Sequence, residues 1–124
     1  MRLVEKSVQR GRDAALAALL PALRQLPPLR ELHLFQANIG DEGVASLLAQ
    51  PTAGALESLE ELYLEQNQIS DAGCATLFSA LRGGALPALN NLSLNGNPAS
   101  EEARKRVTAI LNARLKFERY FVNR

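Results

Sequence analysis

The sequence predicts an α/β solenoid, with about three parallel strands on a concave face, helices on a convex face, and a right-handed β-α superhelical path. Three observations carry that prediction. The motif Leu29-x-x-Leu32-x-Leu34 returns as Leu59-x-x-Leu62-x-Leu64 and as Leu89-x-x-Leu92-x-Leu94, a period of 30 residues both times. An ungapped comparison of residues 29–58 with 59–88 gives 13 identities in 30, among them Ile39/Ile69, Asp41/Asp71, Gly43/Gly73 and Leu47/Leu77. Each unit also changes periodicity half way, from the alternation of a half-buried strand to the three-and-four spacing of a helix. One strand and one helix of this size cannot bury their apolar faces alone, whereas stacked copies share a continuous core.

Taken in order, residues 1–28 read as an N-terminal helical cap or half repeat. In the stretch DAALAALLPALRQL (13–26), Asp13 is the expected N-cap and Leu16, Leu19, Leu20 and Leu23 share one face. Pro21 marks a kink or a first turn there, and no strand is expected to accompany this helix. The first repeat covers 29–58 and the second 59–88. In each, a Leu-x-Leu strand is followed by an aspartate, Asp41 or Asp71, expected to cap the helix behind it. Val44, Leu47 and Leu48 then space one helix, and Cys74, Leu77, Phe78 and Leu81 the next. Gln50-Pro51-Thr52-Ala53-Gly54 and Arg82-Gly83-Gly84 end them. The third repeat, 89–112, carries a helix capped by Ser100, with Glu101 and Glu102 near its positive end. Ala103, Val107, Ile110 and Leu111 form its apolar stripe.

Residues 113–124 are set apart as an aromatic and basic extension. Phe117, Tyr120 and Phe121 are half of the six aromatic residues in the chain, among Lys116, Arg119 and Arg124. Two readings are open for them: a cover over the exposed end of the last repeat, or a docking element for another protein.

Composition narrows the functional classes. Hydrophobic residues make up 47% and charged residues 22%, the balance of a folded soluble domain rather than a disordered tail. No apolar run approaches the roughly 18 residues that cross a bilayer. A single cysteine, Cys74, excludes an intrachain disulfide, and a single histidine, His33, leaves a zinc site short of ligands. Cys74 sits on the apolar side of its helix, as a structural thiol does. The start, MRLVEKSVQR, has no apolar core for a secretory signal. Arg2, Lys6, Arg10 and Arg12 resemble a transit peptide, but Glu5 and Asp13 count against one, so a cytoplasmic location is expected. Charge is unevenly spread: net +3 over residues 1–28, −6 over 29–100 and +4 over 101–124. An acidic middle between basic ends can steer oppositely charged partners.

The pattern L-x-x-L-x-L-x-x-N-x-I-x-D-x-G resembles the leucine-rich repeat, in the long α/β subtype found in ribonuclease inhibitor. Leu59, Leu62, Leu64, Asn67, Ile69 and Gly73 match it closely. The third unit keeps Leu89, Leu92, Leu94 and Asn97 and then departs at Pro98-Ala99. The first has Ala37 where the family places asparagine. The resemblance implies that Asn67 and Asn97 are structural, bonding backbone groups where each strand turns away. Replacing Asn67 by alanine is then expected to cost about 1–3 kcal/mol.

A strand directs alternate residues to opposite faces. With Leu32 and Leu34 inward, Glu31, His33 and Phe35 face the open sheet surface, as do Glu61, Tyr63, Glu65 and Asn91, Ser93, Asn95. Strands about 4.8 Å apart align these into three lateral rows. A patch mixing aromatic anchors with acids suits a protein partner, and members of the resembling family commonly bind through this face. The aromatic residues could equally serve only to cover neighbouring strands.

No glycine-rich phosphate loop is present, since Gly83-Gly84 follows a helix rather than a strand. Nothing about an open sheet would exclude water from a Glu31/Glu61 pair. The expectation is therefore a non-catalytic protein-protein interaction module, or a small structural subunit of a larger assembly, with no cofactor, metal or small-molecule substrate. Its binding surfaces would be the concave face and the C-terminal segment. Alternatives are a GTPase-activating or nuclease-inhibitor-like regulator, and a fragment of a longer receptor-like chain. A nucleic-acid partner is the weakest reading, because the middle of the chain is acidic.

Overall fold

The structure, a computed structural model, describes residues 2–4, 29–49 and 56–121, at 2–4 and 117–121 by backbone alone. Its elements run β1 (Arg2–Val4), β2 (Glu31–His33), α1 (Asp41–Leu48), β3 (Glu61–Tyr63), α2 (Asp71–Arg82), β4 (Asn91–Ser93) and α3 (Glu101–Phe121). The strands form one parallel sheet in the order β1-β2-β3-β4, and α1 packs on α2 and α2 on α3. This is the α/β solenoid that the 30-residue period predicts.

The core lies between the sheet and the helices, and it is built in columns. Leu29, Leu59 and Leu89 form one; Leu34, Leu64 and Leu94 another; Leu47, Leu77 and Val107 a third. Each fully buried leucine contributes about 1.5–3 kcal/mol relative to exposure. The columns loosen only in the last unit: Leu94 keeps 7% of its surface and Ala99 6%, where Leu64 and Ile69 keep none. Leu92 is half-buried, unlike its fully buried equivalents Leu32 and Leu62.

The chain reversals after β2, β3 and β4 each use a left-handed residue. Gln36, Gln66 and Gly96 have φ of 51, 55 and 79° at equivalent positions. Gln36 donates from Nε2 to Oε1 of Gln66 at 3.0 Å, and the row ends at Gly96, where a Cβ would lie 2.8 Å from Cγ of Gln66.

Asn67 is buried among these turns. Its Oδ1 accepts from the backbone N–H of Ala37 at 2.8 Å and of Ile39 at 3.0 Å. Its Nδ2 donates to the carbonyls of Leu34, Leu64 and Glu65. Asn97 repeats the arrangement one unit on: it accepts from Ile69 N–H and donates to the Leu64 and Leu94 carbonyls. Each asparagine thus closes the turn of the unit before it as well as its own.

The aspartates do not cap their own helices. The residue before α1 is Gly40 and the residue before α2 is Ser70, whose hydroxyl accepts from Ala72 N–H. Asp41 and Asp71 are the first helical residues, and they reach forward instead. Asp41 accepts from both the backbone N–H and the hydroxyl of Ser70, and Asp71 from those of Ser100. The physical reason is geometric: an aspartate just inside the helix keeps its favourable place at the positive end of the dipole while its carboxylate points along the stack. Ser100 does cap α3, its Oγ accepting from Ala103 N–H.

Two further features depart from expectation. A strand does precede the first repeat, since Arg2–Val4 pairs with β2, placing Leu3 opposite Leu32. The remainder of 5–28, including the expected helix, and residues 50–55 lie outside the described residues. No break separates 112 from 113 either. α3 runs unbroken from Glu101 to Phe121, because that stretch contains no glycine or proline.

α3 also finishes α2. Gly84, at φ 98°, forms a Schellman end in which Ala85 N–H bonds to the Ala80 carbonyl and Gly84 N–H to that of Leu81. The Arg114 guanidinium then donates to the carbonyls of Leu81, Ala85 and Leu86 at 2.7–3.1 Å. A cation at a helix C-terminus is favourable on both hydrogen-bond and dipole grounds. Arg114→Ala should lower stability by about 1–3 kcal/mol in chemical denaturation. Arg114→Lys should recover less than half of that, because one ammonium cannot span three carbonyls.

Candidate protein-binding surface

The sheet register sets the concave face. Glu31 lies beside Glu61 and Glu61 beside Asn91, while His33 lies beside Tyr63 and Tyr63 beside Ser93. The third row follows one step beyond the strands, where Gln36 N–H bonds to the Glu65 carbonyl and Gln66 N–H to that of Asn95. β1 adds Arg2 and Val4 in register with Glu31 and His33, positions that sequence reasoning left out.

The middle row is a stack. The His33 and Tyr63 rings have centroids 4.4 Å apart and planes 29° apart, an offset arrangement favoured by the ring quadrupoles. Carboxylates from the neighbouring row fix both rings. His33 Nε2 is 3.1 Å from Glu31 Oε1, and the Tyr63 hydroxyl donates to Glu61 Oε1. That bond to Glu61 is the main reason the Tyr63 hydroxyl titrates above the usual phenol range. Asn91 Nδ2 donates to the same hydroxyl at 3.3 Å. The two stacked glutamates therefore avoid facing each other bare, each turning to the ring two residues along its own strand.

Phe35 stands at the rim of this stack and is 43% exposed, the large hydrophobic side chain most open to water among the described residues. Glu65 is half-buried in the same row and Asn95 is exposed. Below the strands, Arg30 forms a two-pronged ion pair with Glu60 at 3.1 and 3.2 Å. The 30-residue offset between them was available in the sequence as an opposite-charge pair in one column. Cys74 is buried, and burial pushes its thiol pKa up, away from nucleophilic use. Phe117, Tyr120 and Phe121 lie on the final turns of α3; their side chains are outside the described residues.

On this face Phe35, the His33–Tyr63 stack and the carboxylates of Glu31, Glu61 and Glu65 lie on adjoining repeats.

Comparison with known proteins agrees with the fold. The family model for the leucine-rich repeat matches residues 25–48 and 55–78. Two of the three repeats thus match the leucine-rich-repeat model. Among solved structures, it resembles the second actin-binding site of leiomodin-1 with a TM-score of 0.68 and 16% identity, over 96% of this chain and 83% of that one. It also resembles the tropomodulin C-terminal domain of Caenorhabditis elegans, TM-score 0.63 and 15% identity, over 96% of this chain and 86% of the other. Among curated proteins, no sequence match was found. No helix among the described residues is long and apolar enough to cross a membrane.

Proposed function

We propose that this chain is a non-catalytic interaction module that binds its protein partner chiefly through the concave sheet face, with the aromatic end of α3 as a second contact. The observation that carries the reading is Phe35, left open to water two residues beyond His33 of the His33–Tyr63 stack, on repeats that also carry Glu31, Glu61 and Glu65. An exposed aromatic anchor on an acidic stretch fits a partner presenting a basic patch around an apolar pocket. The 30-residue period, with a full helix per unit, supports the long α/β subtype. Cytoplasmic residence and membership of a larger assembly accord with this reading.

Actin is the first partner to test, since the leiomodin domain is described as an actin-binding site. The experiment is co-sedimentation with actin filaments, in parallel with affinity capture from an extract of the source followed by identification and direct titration. The double variant Phe35→Ala/Tyr63→Ala should retain its thermal melt within a few degrees and bind the titrated partner at least about tenfold more weakly. Unchanged affinity in a folded double variant would remove the concave face from the proposal. Stimulated nucleotide hydrolysis by a small GTPase on adding the chain would replace scaffolding with enzyme regulation.

A further inference from the structure

The C-terminal end of the solenoid is built differently from its interior. Among the described residues, β4 is one edge of the sheet. In the interior steps, Leu34 N–H bonds to the Tyr63 carbonyl and Leu64 N–H to that of Ser93. Gln36 and Gln66 N–H likewise bond forward to Glu65 and Asn95, and the Arg30 and Glu60 carbonyls accept from the strand that follows. The same register in the last unit directs Leu94 N–H, Gly96 N–H and the Asn90 carbonyl toward the open side. An unpaired strand edge is a template for another strand.

Beside that edge runs a groove of about 520 Å3, floored by Leu92 and Leu94 and walled on the α3 side by Glu101, Arg104, Lys105 and Thr108. This is where the core columns loosen. Arg104 supplies a second, independent sign: its Nε is buried and has no hydrogen-bond partner. A buried donor on a charged group without an acceptor is costly, and a carboxylate entering the groove would relieve it. Lys105 pairs only with exposed Glu101, at 3.6 Å and one turn away, so it can turn to an incoming anion.

We propose that this end binds an extended acidic segment of a partner protein, which adds to the sheet beside β4, lays an apolar side chain over Leu92 and Leu94, and sets a carboxylate against Arg104 and Lys105. Charge decides between this occupant and a second copy of the chain. Head-to-tail stacking would bring the β1 edge, which carries Arg2, against the β4 edge beside Arg104 and Lys105, so like charges would meet. An acidic strand meets no such repulsion. Strand addition supplies affinity through the main chain, and the alternating side chains supply selectivity. Ser93 and Asn95 of the concave face also line the groove, whereas Phe35 and the His33–Tyr63 stack do not, so the two surfaces can be occupied together.

The test uses the full chain and blocked, fluorescein-labelled hexapeptides that alternate glutamate with valine, lysine with valine, or glutamate with valine interrupted by a central proline. The glutamate peptide should bind at least about fivefold more tightly than either control, and more weakly as salt rises. In amide spectra it should shift Leu94 and Gly96 and slow their hydrogen exchange. Lys105→Glu, at an exposed position that leaves the core untouched, should weaken binding about fivefold or more. Phe35→Ala/Tyr63→Ala should leave it unchanged, which separates failure here from failure of the concave-face reading. Equal binding of all three peptides, or shifts confined to His33 and Tyr63, overturns the proposal. So does a concentration-dependent dimer that protects the Leu94 amide without peptide, which would assign the edge to a second copy.

Discussion

Asn67→Ala is expected to destabilise the fold by about 3–5 kcal/mol, above the roughly 1–3 kcal/mol that the motif alone implies and a large part of the 5–15 kcal/mol that holds a domain of this size together. The side chain satisfies five backbone groups belonging to two units. Removing it leaves the Ala37 and Ile39 N–H groups buried without acceptors, and each orphaned group costs about 1–3 kcal/mol. Water cannot easily substitute, because Asn67 is only 6% exposed. Asn97→Ala is the internal control. Asn97 is half-buried and holds three backbone groups rather than five, one of them a donor rather than two, so its loss should cost less, about 1–2 kcal/mol. Urea denaturation monitored by circular dichroism checks both. Equal losses for the two variants, or a loss under about 1 kcal/mol for Asn67→Ala, would falsify this account of the asparagine positions.

Gly73→Ala is expected to cost about 2–4 kcal/mol, unusually much for adding one methyl group. Gly73 is buried at the start of α2, and a Cβ there would overlap the Asp41 carboxylate and stand 2.7 Å from Cγ2 of Ile69. Ile69 is fully buried and stiff at χ1, so it cannot swing aside. Asp41 could move only by abandoning the Ser70 N–H and hydroxyl. The substitution therefore loses the inter-unit bridge as well as the packing. A double-mutant cycle with Asp41→Ala makes this measurable. With the carboxylate already gone, the added methyl group should cost about 1–2 kcal/mol less than in the parent chain. Strict additivity would mean that Gly73 and Asp41 do not share the bridge.

How far these features were legible in the sequence depends on how often each recurs. The strand positions, the aliphatic columns and the lateral rows appear two or three times, and a 30-residue comparison exposes them at once. The aspartates recur too, yet their partners were misassigned. An N-cap and a first helical residue differ by one position, and a single aspartate before an apolar stripe fits both. The distinguishing signal was the serine at Ser70 and Ser100, each 29 residues after an aspartate. Gly73 likewise makes sense only with Asp41 beside it in space. Arg114 and β1 occur once, at the ends, where no second copy marks them. Leu3 and Val4 sit in a charged stretch with no alternation, and pairing with β2 alone makes them a strand. On the concave face, sequence placed Glu31 and Glu61 side by side. It could not show that each turns to a ring on its own strand, because χ angles leave no trace in a residue pattern.

The bridges between units all point the same way. Asn67 reaches back to close the turn of the first repeat and Asn97 that of the second, while Asp41 and Asp71 lean on serines that come later in the chain. Every unit is thus completed by its successor, and the molecule is polar in the sense that a ratchet is. Opening the first repeat frees the Ser70 amide and the Asn67 side-chain oxygen, but leaves the Ile69 amide and the Leu64 carbonyl answered by Asn97. Opening the third strips the Ile69 amide, the Leu64 carbonyl and the Asp71 carboxylate of their partners at one stroke, and the disturbance travels toward the N-terminus. Fraying should be tolerated from the front and propagate from the back, so the hold of α3 on the last repeat governs how long the whole stack endures.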